Sequence, residues 1–231
     1  MTLPRFFRWS SMLLLTALMC QCASPPAASP APPAAVASWN RVTTRLAAAV
    51  PADHDGRPIQ WRFSVRPTSG SNACSWPDGR VEITSGTLSF VRNEAELAAV
   101  AAHEMAHVFR RHGRQRALET GAVLLGGAAL GAVLATQDGD TVTAAGVASG
   151  AVLTFSLTAL AARQREQEFE ADRLSLDLMR RAGYQPGSAV SFWERYAAAR
   201  ARHGLGQGGW WKAHPPDAAR VHLLRPLAVS R

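Results

Sequence analysis

The chain has 231 residues, enough for one domain of ordinary size to bury a core without disulfide support. Its apolar content, 47% and dominated by alanine with few aromatics, lies in the globular range and favours helices packed closely through small side chains. The formal charge of +8 raises nucleic acid as a partner, yet the basic residues are almost all arginine (Lys212 is the one lysine), are spread along the chain and nowhere alternate with stacking aromatics, so the charge reads as a solvated surface with some attraction to anionic lipid headgroups and no nucleic acid is expected.

Residues 1–22 read as an export signal, with Arg5 and Arg8 as the charged start and Met12 to Met19 as an apolar run too short to span a bilayer. Cys20 and Cys22 each stand where a lipoprotein's acylated cysteine would, although Met19 and Gln21 are poor residues to precede one. The mature chain is expected to start either at a lipidated cysteine or at a free Ala23. Residues 23–38, built almost wholly from Ala, Pro and Ser, cannot bury apolar surface and are expected to form an extended tether. Residues 39–231 then read as one domain, in which Cys74 is left without a disulfide partner.

Within that domain Trp39, Val42, Leu46 and Val50 recur at helical spacing up to Pro51. Ile59, Trp61, Phe63 and Val65 alternate as in a strand, and Arg80 to Thr84 offers another after the turn Pro77-Asp78-Gly79, giving a small sheet of two or three strands. Asn93 caps a helix with Glu96 as its reciprocal partner, and Gly113 is expected to end it. Two Ala/Gly-rich stretches, Gly121 to Thr136 and Ala144 to Ala162, predict buried core helices, with a membrane-inserted hairpin as the alternative. The next helix, from about Ala161 to Ala182, where Gly183 stops it, buries a stripe of Ala171, Leu174, Leu178 and Ala182; a last one runs from Ser188 to Arg202, before a glycine-rich loop.

The chemistry is concentrated in His103-Glu104-Met105-Ala106-His107. Two histidines four apart share one face of a helix, so their ring nitrogens can converge on one Zn²⁺, and a glutamate beside the first can act as general base on a water. A further protein ligand is needed. His112 stands one residue away from where a chain-local third histidine would lie, and reads as a surface or helix-terminal residue near the negative end of the helix dipole. The acidic run Glu166, Glu168, Glu170, Asp172 is the best source: Glu168 and Asp172 share a face, so one can bind metal while the other orients a ligating histidine.

The string from Asn93 to His107, followed by Glu168-Phe-Glu-Ala-Asp172-Arg173, resembles the peptidase family M48 zinc metallopeptidases, the group with the BepA-like periplasmic, HtpX and CAAX prenyl proteases. The resemblance extends to Asn72 to Gly86, to Ala182 to Pro186 and to His214-Pro-Pro216. It implies a mainly α (α+β) fold, a helical gluzincin-type domain with a small sheet beside the catalytic helix. It implies one Zn²⁺ per chain held by His103, His107 and Glu168, with Glu104 as general base and Asp172 behind the ligands. Cys74 stands where such proteins commonly have a larger apolar residue, and Ser175 where they commonly have glycine, departures that concern local packing.

The expected function is thus a zinc endopeptidase cleaving misfolded or envelope proteins in the periplasm of a Gram-negative bacterium, anchored to the outer membrane if the leader is lipidated. The competing expectation is a non-catalytic envelope chaperone or assembly factor with a structural zinc. Broad specificity would follow if Val81 to Ser85 took an extended substrate as an added strand. The resemblance also sets a His-Pro near the metal, so His214 is expected either to hold the fourth metal position as a switch or to lie on a surface turn. Arg220 would steady that loop or a developing oxyanion.

Overall fold

The computed structural model describes residues 30–51, 57–134, 139–203, 214 and 218–229. The expected signal segment, residues 23–29 of the expected tether and the glycine-rich loop lie outside the described residues.

The first helix, α1 (Pro33–Ala49), starts inside the stretch read as tether. A proline in the first turn has no intrahelical N–H to lose and its φ is already helical, so Pro32-Pro33 opens a helix where composition alone suggests an extended chain. Trp39, Val42, Thr43 and Leu46 are buried along one face, and the helix stops at extended Val50, before Pro51.

Three short strands follow: β1 (Arg62–Arg66), β2 (Ala73–Ser75) and β3 (Arg80–Thr84). Their order is β1-β3-β2, with β1 parallel and β2 antiparallel to β3. The β2–β3 turn depends on Gly79 at φ 85°, where an added Cβ would lie 2.4 Å from the Gln60 carbonyl oxygen. Because β3 is the central strand, Val81 to Ser85 cannot accept a substrate strand, and that expectation is corrected. The outer edge nearest the helix that carries His103 and His107 belongs to β2.

Thr84 caps the short α2 (Ser85–Phe90), and Asn93 caps α3 (Glu94–Phe109) by accepting from the Glu96 backbone N–H at 2.9 Å. The return bond of Glu96 goes to the backbone N–H of Arg92, at 2.8 Å, and its carboxylate also meets Arg195. From Glu96 to Val108 every residue of α3 is buried, so this helix runs through the middle of the domain, against α1, the sheet and the later helices.

The stop at the end of α3 is not Gly113. Arg111 takes the left-handed conformation at φ 58°, and Gly113 already lies in α4 (His112–Leu134). The left-handed residue folds the chain so that His112, the first residue of α4, comes back beside α3.

The two Ala/Gly stretches and the acidic segment form a hairpin of α4 and one continuous 43-residue helix, α5 (Gly139–Arg181). The hairpin's described arms project from the domain: Leu118, Leu125 and Phe155 are 66%, 74% and 77% exposed. At the described positions the expectation of buried core helices is therefore corrected: residues 121–130 and 149–162 are exposed or half-buried, and none of them belongs to the core. Among the described residues no helix is long and apolar enough to cross a membrane.

The base of α5 returns to the core with Ala171, Leu178 and Ala182 buried, and ends at Gly183, φ 71°, where the N–H of Tyr184 bonds back to the Met179 carbonyl at 2.8 Å. Helix α6 (Gly187–His203) packs Phe192, Trp193 and Tyr196 on α3. A last helix, α7 (Ala218–Val229), was not anticipated from the sequence; it sets Leu224 in the core and Arg220 behind the site. The whole is mainly helical with one three-stranded sheet beside the catalytic helix, as the resemblance implied.

Candidate active site

Helix α3 presents His103 and His107 on one face, separated by a single turn, and α5 brings Glu168 and Asp172 opposite them. His214 enters from the segment before α7. His103, His107, Glu168 and His214 are all buried, and one ligand atom from each lies within 4.8 Å of the others.

The individual separations are those of a small polyhedron. His103 Nε2 is 3.2 Å from His107 Nε2, 3.3 Å from His214 Nδ1 and 3.3 Å from Glu168 Oε2. His107 Nε2 is 3.4 Å from Glu168 Oε1, and His214 Nδ1 is 2.8 Å from Glu168 Oε2. Metal–nitrogen bonds of about 2.0–2.1 Å in a tetrahedron put neighbouring ligand atoms about 3.3 Å apart. Three imidazoles and one carboxylate at these spacings fit a single Zn²⁺, and such mixed N/O donors suit zinc better than calcium or magnesium.

Most of these side chains are also held from behind. Asp172 Oδ1 lies 3.0 Å from His103 Nδ1, which turns the other ring nitrogen into the site. Arg220 grips Asp172 with two bonds of 2.7 Å, reaches within 3.5 Å of Glu168 and stacks over the Trp193 ring at 4.7 Å. Arg116 donates to Glu168 Oε1 at 2.8 Å and to Gln167 at 2.6 Å. Arg220 therefore stands behind the ligands as support for Asp172, and this arrangement favours support over an oxyanion role. Glu104, one residue from the first ligand, accepts a bond from Ser75 Oγ of β2 at 2.9 Å, and its other oxygen is 3.5 Å from His214 Nε2.

His112 is where sequence reasoning went astray. It is helix-terminal, as the first residue of α4, but not on the surface: it is 1% exposed, with Nδ1 2.9 Å from His107 Nδ1 and Nε2 3.0 Å from a Glu170 oxygen. No helical spacing relates it to His107, because the left-handed Arg111 lies between them. Arg116 and Ser75 were missed for the same kind of reason, since each reaches the site from a separate element.

Burial and partners set the titration of the cluster. Burial alone would lower His103, but bonds to Asp172 and Glu168 and their charges outweigh it and raise its pKa from the usual 6.5 to about 9. His107 is lowered by burial to about 4 and His112 by burial to about 3. Burial would raise Glu168 and Asp172, yet the histidines around the first and Arg220 beside the second hold both below the usual carboxylate range.

A helix carrying two histidines and a glutamate, a second helix bringing a carboxylate up to them, and a strand edge alongside define the metallopeptidase class of site. The description "Peptidase family M48" matches residues 33–228, and the chain belongs to that family. It is 31% identical over 166 residues to the mitochondrial metalloendopeptidase OMA1 of Schizosaccharomyces pombe, covering 72% of this chain and 46% of that protein. It is 30% identical over 167 residues to the β-barrel assembly-enhancing protease of Escherichia coli, covering 69% and 30% respectively. To the metalloprotease LoiP of Escherichia coli it is 28% identical over 188 residues, covering 80% and 68%. The chain spans less than half the length of the first two of these relatives.

Proposed function

We propose that the chain is a zinc-dependent endopeptidase of the bacterial cell envelope that cleaves misfolded or envelope proteins, with His103, His107 and Glu168 as ligands and Glu104 as general base. The observation that carries this is the set of ligand-atom separations near 3.3 Å with a buried carboxylate beside it that is not a ligand. When bound, zinc supplies a Lewis acid that makes a water acidic near neutrality. Glu104 accepts the proton at a carboxylate oxygen and hands it to the departing amine nitrogen, with the Ser75 hydroxyl fixing the other oxygen. The outer edge of β2, which carries Ser75, offers main-chain groups to an extended substrate, a mode that reads backbone more than side chains.

A fourth-ligand role for His214 is supported by its Nδ1 lying 3.3 Å from His103 Nε2 and 2.8 Å from Glu168 Oε2, with its Nε2 3.5 Å from Glu104. In this reading the arrangement is a resting state: His214 fills the place of the reacting water until its segment moves. Support for the envelope comes from the leader-like residues 1–22 and from the bacterial relatives; lipid attachment at Cys20 or Cys22 would place the domain on the outer membrane, and incorporation of labelled palmitate tests it.

A closed set of four donors is also what structural zinc sites show, and this favours the second reading, an assembly factor with little turnover. Zinc analysis with casein degradation separates the two. The endopeptidase reading expects Glu104→Gln to keep zinc and lose cleavage, and His214→Ala to keep zinc and cleave faster, itself included. Cleavage unchanged in Glu104→Gln ends the catalytic assignment; a zinc-loaded His214→Ala protein that is no faster ends the resting-state assignment.

A further inference from the structure

His107 turns its Nε2 towards the proposed metal only if its proton sits on Nδ1, and Nδ1 needs a buried acceptor. The usual acceptor behind a metal-bound histidine is a carbonyl or carboxylate oxygen. Here it is another imidazole, His112, at 2.9 Å, and an imidazole accepts at one nitrogen only when its proton is on the other. Glu170 decides which. An ionised carboxylate can only accept, so the 3.0 Å contact puts the His112 proton on Nε2 and leaves Nδ1 with a lone pair towards His107. Arg110 in turn pairs with Glu170, fixing the carboxylate in place.

The opposite tautomer of His112 would set two N–H groups face to face across 2.9 Å. His107 would then have to carry its proton on Nε2 and lose the lone pair that faces the metal. We infer that Glu170 and His112 form a relay that selects the metal-binding tautomer of His107, making His112 a positioning residue of the metal centre. Its place is built by the backbone: Arg111 at φ 58° folds His112 under α3, which an ordinary helix ending at Arg110 would not do. Asp172 performs the corresponding task for His103 directly, so the two histidines are oriented by two carboxylates of α5 two residues apart, by Asp172 in direct contact and by Glu170 acting through an imidazole.

The inference rests on the zinc reading above. Its test is zinc affinity of the full chain, by competition with a chromogenic chelator, together with the visible spectrum of the cobalt-substituted protein. His112→Phe keeps the ring volume without the acceptor and is expected to weaken zinc binding about 10–100-fold and to shift the cobalt bands. His112→Asn, whose amide oxygen can accept from His107, is expected to recover most of the affinity. Glu170→Leu, at a partly exposed position, is expected to weaken zinc several-fold and decides the matter should His112→Phe not fold. Wild-type affinity and spectrum in His112→Phe, or undiminished affinity in Glu170→Leu, overturns the relay alone. A wild-type chain that binds no zinc overturns the zinc reading and the relay with it.

Discussion

Arg220 and Asp172 show how a buried ion pair serves the site. Both are within a few per cent of full burial, joined by two bonds of 2.7 Å. The pair adds little net stability against its desolvation, but removing one member leaves the other charge buried. Arg220→Leu is expected to cost about 3–5 kcal/mol in urea unfolding of the metal-free protein. A loss below about 1 kcal/mol, the scale of an exposed pair, would show that Asp172 finds another cation or goes neutral. His103, Glu104, His107 and Glu168 were readable because their spacings are those of one helix face or of a family motif. The Arg220–Asp172 bond was not, because it joins α7 to α5 across 48 positions and no local pattern encodes it.

At the scale of elements, the start and course of the capped, alanine-rich α3 were readable because cap, periodicity and motif agree on one helix, while its end was not, because the left-handed residue is Arg111 rather than a glycine. The α4–α5 hairpin was not, since runs of Ala and Gly look the same to a periodicity argument whether they face a core or open space. Strand order was equally hidden: alternation marks a strand but says nothing of which strand is central, so β3 was mistaken for an edge. A helix apolar on all sides is ordinarily covered by something, and here the described arms are not. Leu125→Ser and Phe155→Ser are accordingly expected to change the unfolding free energy of the isolated chain by less than about 0.5 kcal/mol. A loss of 2 kcal/mol or more, on the order of a core truncation, would mean that these side chains are buried in solution.

For the molecule as a whole, the buried histidines tie folding to pH, and the direction follows from which state holds the extra protons. Between about pH 4 and 6.5 the unfolded chain protonates His107 and His112, whose folded values are near 4 and 3, so stability rises with pH over this interval. Glu168 and Asp172, both depressed, act in the same sense at lower pH: their contribution is present above the ordinary carboxylate range and is lost as pH falls through their folded values. His103 has the opposite sign. Raised to about 9, it holds a proton in the folded state that the unfolded chain has released by 6.5, so its contribution is complete below 6.5 and fades as pH climbs through 9. The metal-free protein is thus expected to be most stable near pH 6.5. Zinc must displace the His103 proton to bind, so in the loaded protein the decline on the alkaline side should vanish and the maximum should move upward. Urea unfolding followed by tryptophan fluorescence from pH 4 to 9.5, in chelator and in zinc, measures both curves. A metal-free curve that keeps rising to pH 9 would mean that His103 is neutral in the folded protein and that Asp172 orients it without charging it.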